Sequence, residues 1–152
     1  MRFLEKHIFS IYRFCNNIYI REEKSTLKIF MMKAAHKYYS TLLSVFYGAY
    51  IPYKATIGER IKFNHSFHGV FISENAIIGN DCTILQHVTI GSNQPKSGDA
   101  PKIGDNVFIG VGCNIVGKTI IENDCTIGAG TTIAQAFIPK SSVVVGQKYR
   151  IL

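Results

Sequence analysis

Five histidines stand at positions 7, 36, 65, 68 and 87 of this 152-residue chain. An imidazole with a pKa near 6.5 exchanges its proton close to neutrality, so it is the side chain best suited to take a proton from a hydroxyl. His65 and His68 lie three residues apart, and His87 follows His68 by 19. His7 and His36 fall among apolar residues of the N-terminal flank and are read as surface or cap residues. The four cysteines show no zinc-site spacing with these histidines, so no metal is expected.

What must position these histidines is a six-residue repeat. Isoleucine stands at 72, 78, 84 and 90, then at 103, 109, 115, 121, 127 and 133. A small or β-branched residue often sits two places earlier, among them Val70, Ala76, Cys82, Val88, Cys113 and Cys125. Residues two apart in a strand share a face, so both ladders point the same way. A long apolar side chain at each repeat stacks only if it is buried, worth roughly 1.5–3 kcal/mol apiece. Six residues is the period of a parallel β-helix, and three hexads close one coil of about 18 residues. Cys82, Cys113 and Cys125 take the small inward position, where thiols act as apolar fillers; this implies a reducing compartment.

The ladder breaks twice. Ile90 to Ile103 spans 13 residues, so the polar stretch 92–100 leaves the coil as an exposed loop. Phe63 to Ile72 spans nine, which places three extra residues within 64–69, around His65 and His68. The predicted organisation is a helical flank at 1–50, a parallel β-helix at 51–145 carrying loop 92–100, and a tail at 146–152.

The net charge is +7. Residues 1–50 hold eight Lys/Arg against three Asp/Glu, a balance of +5. Leu27, Phe30, Met31, Ala34, Ala35, Tyr38, Leu42, Val45 and Phe46 fall at helical spacing, which predicts a helix over 27–47. Its roles could be a cap on the open end of the solenoid, a subunit contact, or a basic aromatic face on a membrane surface. No binding module for nucleic acid is present. No signal peptide or membrane-spanning run is evident, and the protein is expected to be cytoplasmic or at the inner membrane surface.

Several segments together resemble the hexapeptide-repeat acyltransferases, in their serine acetyltransferase-like branch. They are IGERIKFNH at 57–65, ISENAIIGNDCTILQHVTIGS at 72–92, KSGDAPKIG at 96–104, VFIGVGCNIVG at 107–117 and ENDCTIGAGTTI at 122–133. The resemblance implies a left-handed coil, a homotrimer with active sites between subunits, and acetyl-CoA as donor. Periodicity alone does not give the hand. By motif, the family's catalytic histidine falls on His65, with His68 as the other candidate base. The family places the pantetheine arm of the donor against small residues, which here are Gly110, Gly112, Gly128, Ala129 and Gly130. Backbone N–H groups there would meet the thioester oxygen, and Lys118, Lys148 and Arg150 are candidates for the nucleotide phosphates. Tyr50, Asn64, Glu74 and His87 are the residues expected to meet the acceptor, and Glu74 or a backbone carbonyl could orient the base. A metal-dependent hydratase on the same fold would need more widely separated histidines.

Two positions depart from the serine acetyltransferase pattern. Tyr50 stands where an aspartate orients the histidine, and Ala100 stands where the loop carries a second histidine. Only about 50 residues precede the coil, where that family carries a large helical domain. Neither replacement carries charge near neutral pH, which disfavours recognition of zwitterionic serine. The expected function is O-acetylation of a sugar hydroxyl in bacterial surface polysaccharide synthesis. Serine O-acetylation, for cysteine biosynthesis, and a non-catalytic β-helix scaffold are the alternatives.

Overall fold

The structure is a computed structural model that describes residues 3–22, 24–93 and 98–146. Two helices, α1 (Phe3–Ile20) and α2 (Thr26–Tyr47), precede the coil. The first coil is β1 (Thr56–Ile57), β2 (Lys62–Phe67) and β3 (Phe71–Ile72). The second is β4 (Ile77–Ile78), β5 (Thr83–Ile84) and β6 (Thr89–Gly91). The third is β7 (Lys102–Ile103), β8 (Phe108–Ile109) and β9 (Asn114–Val116). The fourth is β10 (Ile120–Ile121), β11 (Thr126–Ile127) and β12 (Thr132–Ala134). A fifth turn begins with β13 (Phe137–Ile138) and β14 (Val143–Val144).

Every third strand stacks in parallel. The three faces of the prism are β1-β4-β7-β10-β13, β2-β5-β8-β11-β14 and β3-β6-β9-β12. The coil is left-handed, against the usual right-handed preference for parallel crossovers. Register is set by the isoleucines: Ile78 pairs with Ile103, Ile84 with Ile109, and Ile90 with Ile115. All ten ladder isoleucines are buried, as are the small residues two places earlier. Cys82, Cys113 and Cys125 are free thiols in that inner column.

Corners repeat with the coil. Arg60, Asp81, Asn106, Asp124 and Ser141 all have left-handed backbones, one per turn at the corner after the first face. Side chains lace this corner together: Asn80 N–H donates to Asp105 Oδ1 (2.6 Å), and Asp105 N–H to Asn123 Oδ1 (2.8 Å). The glycines before these corners serve closeness, not left-handedness. A Cβ at Gly79 would sit 2.5 Å from Asp105 Oδ1 and 2.6 Å from the Gly104 backbone.

The open end of the coil is closed by α1 and α2. The first turn has no preceding turn to hydrogen-bond, and side chains fill that role. Tyr12 Oη donates to the Ala55 carbonyl (2.7 Å), Asn16 Nδ2 to that of Tyr53 (2.7 Å), and Tyr39 Oη to that of Ile51 (3.1 Å). Arg13 donates to the carbonyls of Ile57 and Gly58. Each such bond contributes on the order of 1 kcal/mol and spares a buried carbonyl. Burial pushes the Tyr12 hydroxyl up to about 12, which keeps it protonated as a donor.

The helix expected at 27–47 is present, but of the residues that gave its pattern only Ala35 and Leu42 pack against the core, and most face away from the coil. Met32, Tyr39 and Leu43 are its buried residues, whereas Leu27, Phe30, Met31, Tyr38, Val45 and Phe46 are exposed. The reason is the tyrosine: only the Tyr39 side reaches the orphan carbonyls of the first turn.

His36 sits inside this cap, its ring edge-on to Tyr39 (5.2 Å) and Tyr53 (4.8 Å). Its Nδ1 is buried with no hydrogen-bond partner among the described residues. Burial holds its pKa below the ordinary value of 6.5. The unfolded chain therefore binds the proton more readily than the folded one. Stability from neutral His36 is complete above about pH 6.5 and is lost as pH falls through the folded pKa. Melting temperature should drop on acidification below that point, and His36→Leu should flatten the drop. An identical pH profile for wild type and variant would sink this assignment.

Candidate active site

The chemistry-bearing residues collect on one edge of the prism, the corner between the second and third faces. Each turn contributes one corner segment there: 64–70, 85–88, 110–113 and 128–131. Asn64 and His65 are exposed on β2, one and two residues past Phe63, which is buried and paired with Ile84. The inserted residues lengthen β2 around the corner. Ser66 takes a left-handed backbone (φ 60°) and turns Phe67 into the core against Phe63 (4.8 Å) and Tyr47 (5.5 Å). Ser66 Oγ donates to the buried carboxylate of Glu5, so α1 clamps the histidine strand from behind.

His68 lies beyond the turn, its ring against Tyr47 at 5.1 Å. Its carbonyl accepts from the His87 N–H at 2.8 Å, so the two histidines stack on successive turns. His87 carries a left-handed backbone (φ 59°), uncommon outside glycine. Its ring occupies the space over Gly69, which any side chain at 69 would enter.

Below the histidines the edge narrows to glycine. Gly112 and Gly130 have left-handed backbones, and nothing lies within 4 Å of where a Cβ would stand. The edge is therefore an open slot. A Cβ at Gly110 would lie 2.6 Å from Ala129 N, so Gly110 is required by coil spacing. The expectation that glycine N–H groups here meet a developing oxyanion needs correction. Gly110 donates to the Ile127 carbonyl, Gly112 to Gln86, Gly128 to Val144 and Gly130 to Val111, at 2.7–3.1 Å. Among the described residues, the Ala129 N–H has no acceptor, and neither has that of Val111 at the same place one turn earlier. Sequence reasoning grouped these five residues and could not single out Ala129, because turn-to-turn pairing is long-range.

The other expected residues lie elsewhere. Tyr50 bridges Phe71 in parallel and extends the third face, where the two aromatics stand side by side and exposed. Glu74 is at the next corner and holds Lys54 Nζ at 2.8 Å; the interaction the structure gives its carboxylate is with lysine. Lys118 is at that same corner, 3.4 Å from Asp99. There Gly98, Asp99, Ala100, Lys102, Lys118 and Thr119 line a pocket with the end of the loop. Lys148 and Arg150 fall outside the described residues. One chain thus carries the histidine–glycine edge and the loop pocket on different corners, separated by the third face. Among the described residues no cluster of three His, Cys, Asp or Glu side chains could hold a metal ion.

Residues 100–135 match the family described as bacterial transferase hexapeptide (six repeats). The serine acetyltransferase of Staphylococcus epidermidis is 40% identical over 108 residues, 70% of this chain and 50% of that protein. The putative colanic acid biosynthesis acetyltransferase WcaB of Escherichia coli K12 is 33% identical over 113 residues, 74% of this chain and 68% of that protein. A solved serine acetyltransferase in complex with CoA superposes with a TM-score of 0.72 at 28% identity, over 96% of this chain and 56% of that one. The chain spans about half the length of the serine acetyltransferases it matches. With its isoleucine ladder, its histidine edge and these relatives, the chain belongs to the hexapeptide-repeat acyltransferases, in their serine acetyltransferase-like branch.

Proposed function

We propose that this protein is an acetyl-CoA-dependent O-acetyltransferase whose acceptor is a sugar hydroxyl. The observation that carries the reaction type is the open slot over Gly112 and Gly130, on the edge that holds His65. An unbranched pantetheine arm fits a groove kept clear of side chains. His65 takes the proton as the acceptor oxygen attacks the thioester carbon. The Ala129 N–H faces the charge that develops on the thioester oxygen. The C–S bond breaks, acetyl passes to the acceptor oxygen, and the proton held by His65 leaves with the CoA thiol.

Phosphate contacts need cations, and among the described residues the corner segments of the histidine edge carry none. Lys118 is on the next corner, beside the loop. A second copy would bring its loop corner against the first copy's histidine edge and complete the site. The first face supports such assembly, since Ile77, Ile120 and Phe137 are exposed along it, with Lys102 between Ile77 and Ile120. A homotrimer closes this contact with no free ends.

The acceptor is argued from Tyr50 and Phe71. Two exposed aromatic rings on the face beside the histidines suit the apolar C–H face of a sugar. The relative WcaB is, by its name, an acetyltransferase of colanic acid biosynthesis. Serine is the second reading, favoured by the 40% identity to a serine acetyltransferase. Purified protein should be incubated with acetyl-CoA and a panel of free sugars, nucleotide sugars, lipid-linked glycans and L-serine, and product mass followed. A sugar acetate is the expected product. O-Acetylserine with no acetylated sugar would overturn the acceptor and keep the reaction type; no transfer to any acceptor, with CoA bound, would point to a scaffold.

A further inference from the structure

The side of α2 turned away from the coil is apolar and uncovered. Leu27, Met31, Tyr38 and Val45 follow one line along the helix and are 68%, 48%, 52% and 71% exposed. Phe30 and Phe46 widen that line and are also more than half exposed. Isolated exposed apolar residues are ordinary, but a continuous run of large ones marks a docking surface. The line continues onto α1, where Phe14 and Ile18 share a groove with Leu27 and Met31.

Charge decides the occupant. α2 contains three lysines, Lys28, Lys33 and Lys37, and no carboxylate. Lys33 and Lys37 are exposed one helical turn apart on the Phe30 flank of the apolar line, and Lys37 shares a groove with Tyr38. The whole 1–50 flank has a balance of +5. Two copies meeting through this face would oppose lysine to lysine with no acid on α2 to offset them, and like charges disfavour such contact. An anionic surface with an apolar layer beneath it satisfies both features. An apolar, aromatic-containing face bordered by lysines is how interfacial helices lie in a headgroup region. No helix among the described residues is long and apolar enough to cross a membrane, so contact would be from one side.

We propose that α2 docks lengthwise on an anionic lipid bilayer, with Leu27, Met31, Tyr38 and Val45 in the headgroup boundary and Lys33 and Lys37 on lipid phosphates. This does not rest on the acetyltransferase reading.

The test is flotation of the full chain with phosphatidylcholine vesicles, with and without phosphatidylglycerol, at low and high salt. Partitioning should be at least about tenfold greater onto anionic vesicles and should weaken as salt screens the lysines. The double variant Lys33→Glu/Lys37→Glu should lose about tenfold or more, given roughly one factor of five per lysine near the surface. Leu27→Ser/Val45→Ser should also weaken binding. All four positions are exposed, so melting temperature should stay within a few degrees of wild type, separating lost docking from lost folding. Equal binding to neutral and anionic vesicles, or none to either, would overturn the proposal. If sedimentation shows instead that the same variants dissociate an oligomer while vesicles are ignored, the face joins copies of this chain.

Discussion

Replacing His65 by alanine is expected to lower turnover by about 10²–10⁴-fold while acetyl-CoA affinity is unchanged. The fold gives reason to expect a clean effect. His65 is exposed on β2, and its strand is anchored independently of it: Phe63 is buried and paired with Ile84, Phe67 fills the core, and Ser66 is held by Glu5. Removing an exposed imidazole from such a strand leaves the scaffold intact. The slot proposed for the donor lies on later turns, at Gly112 and Gly130, so binding should survive. His68→Ala should behave differently. Its ring packs on Tyr47 of α2, so that change should cost modest stability and reduce turnover only mildly. The measurements are kcat at saturating donor and calorimetric CoA affinity for both variants. If His68→Ala is inactive and His65→Ala is near normal, the base is His68 and the family register does not carry across the three-residue insertion.

The parts of the fold that were legible are those repeated locally. Ten isoleucines each report the same inward position, so period, coil size and both breaks could be read without a structure. The small residues two places earlier are buried with them, because strand alternation is a local rule. What was not legible depends on contacts between turns or between flank and coil. α2 has apolar residues on two sides, and its strongest pattern lies on the exposed one. Hydroxyl reach from Tyr39 to the Ile51 carbonyl settles which side packs, and nothing in the spacing reveals it. Glu74 reads as a possible partner for a histidine; in the fold it meets Lys54, 20 residues away on the preceding turn. The Glu5–Ser66 bond crosses 61 residues and left no local signal at all. The site divides the same way. The stacking of His87 on His68 follows from a spacing close to one turn. The division of labour among five small residues does not.

That division leads to the second large effect. Replacing the Ala129 amide by an ester, with lactate in place of alanine, should lower kcat by about 10²–10³-fold with CoA affinity preserved. Backbone N–H groups in a β-helix are often taken up by an adjacent turn. Gly110, Gly112, Gly128 and Gly130 follow that rule, each donating to a carbonyl on another turn. Ala129 is exposed between two of them, and among the described residues its N–H has no acceptor. A fixed donor beside an open slot costs no reorganisation when charge develops on a thioester oxygen, whereas water would have to reorient. The ester removes this donor and adds no bulk. Ala129→Pro removes it too, but the ring approaches Gly110, whose Cβ position is already 2.6 Å from Ala129 N, so proline should also lower stability. Ala129→Gly keeps the N–H and should keep turnover. An ester variant with unchanged kcat would remove Ala129 from the proposed mechanism. A fall in kcat with constant CoA affinity, absent in Ala129→Gly, would separate transition-state stabilisation from a loss of donor binding.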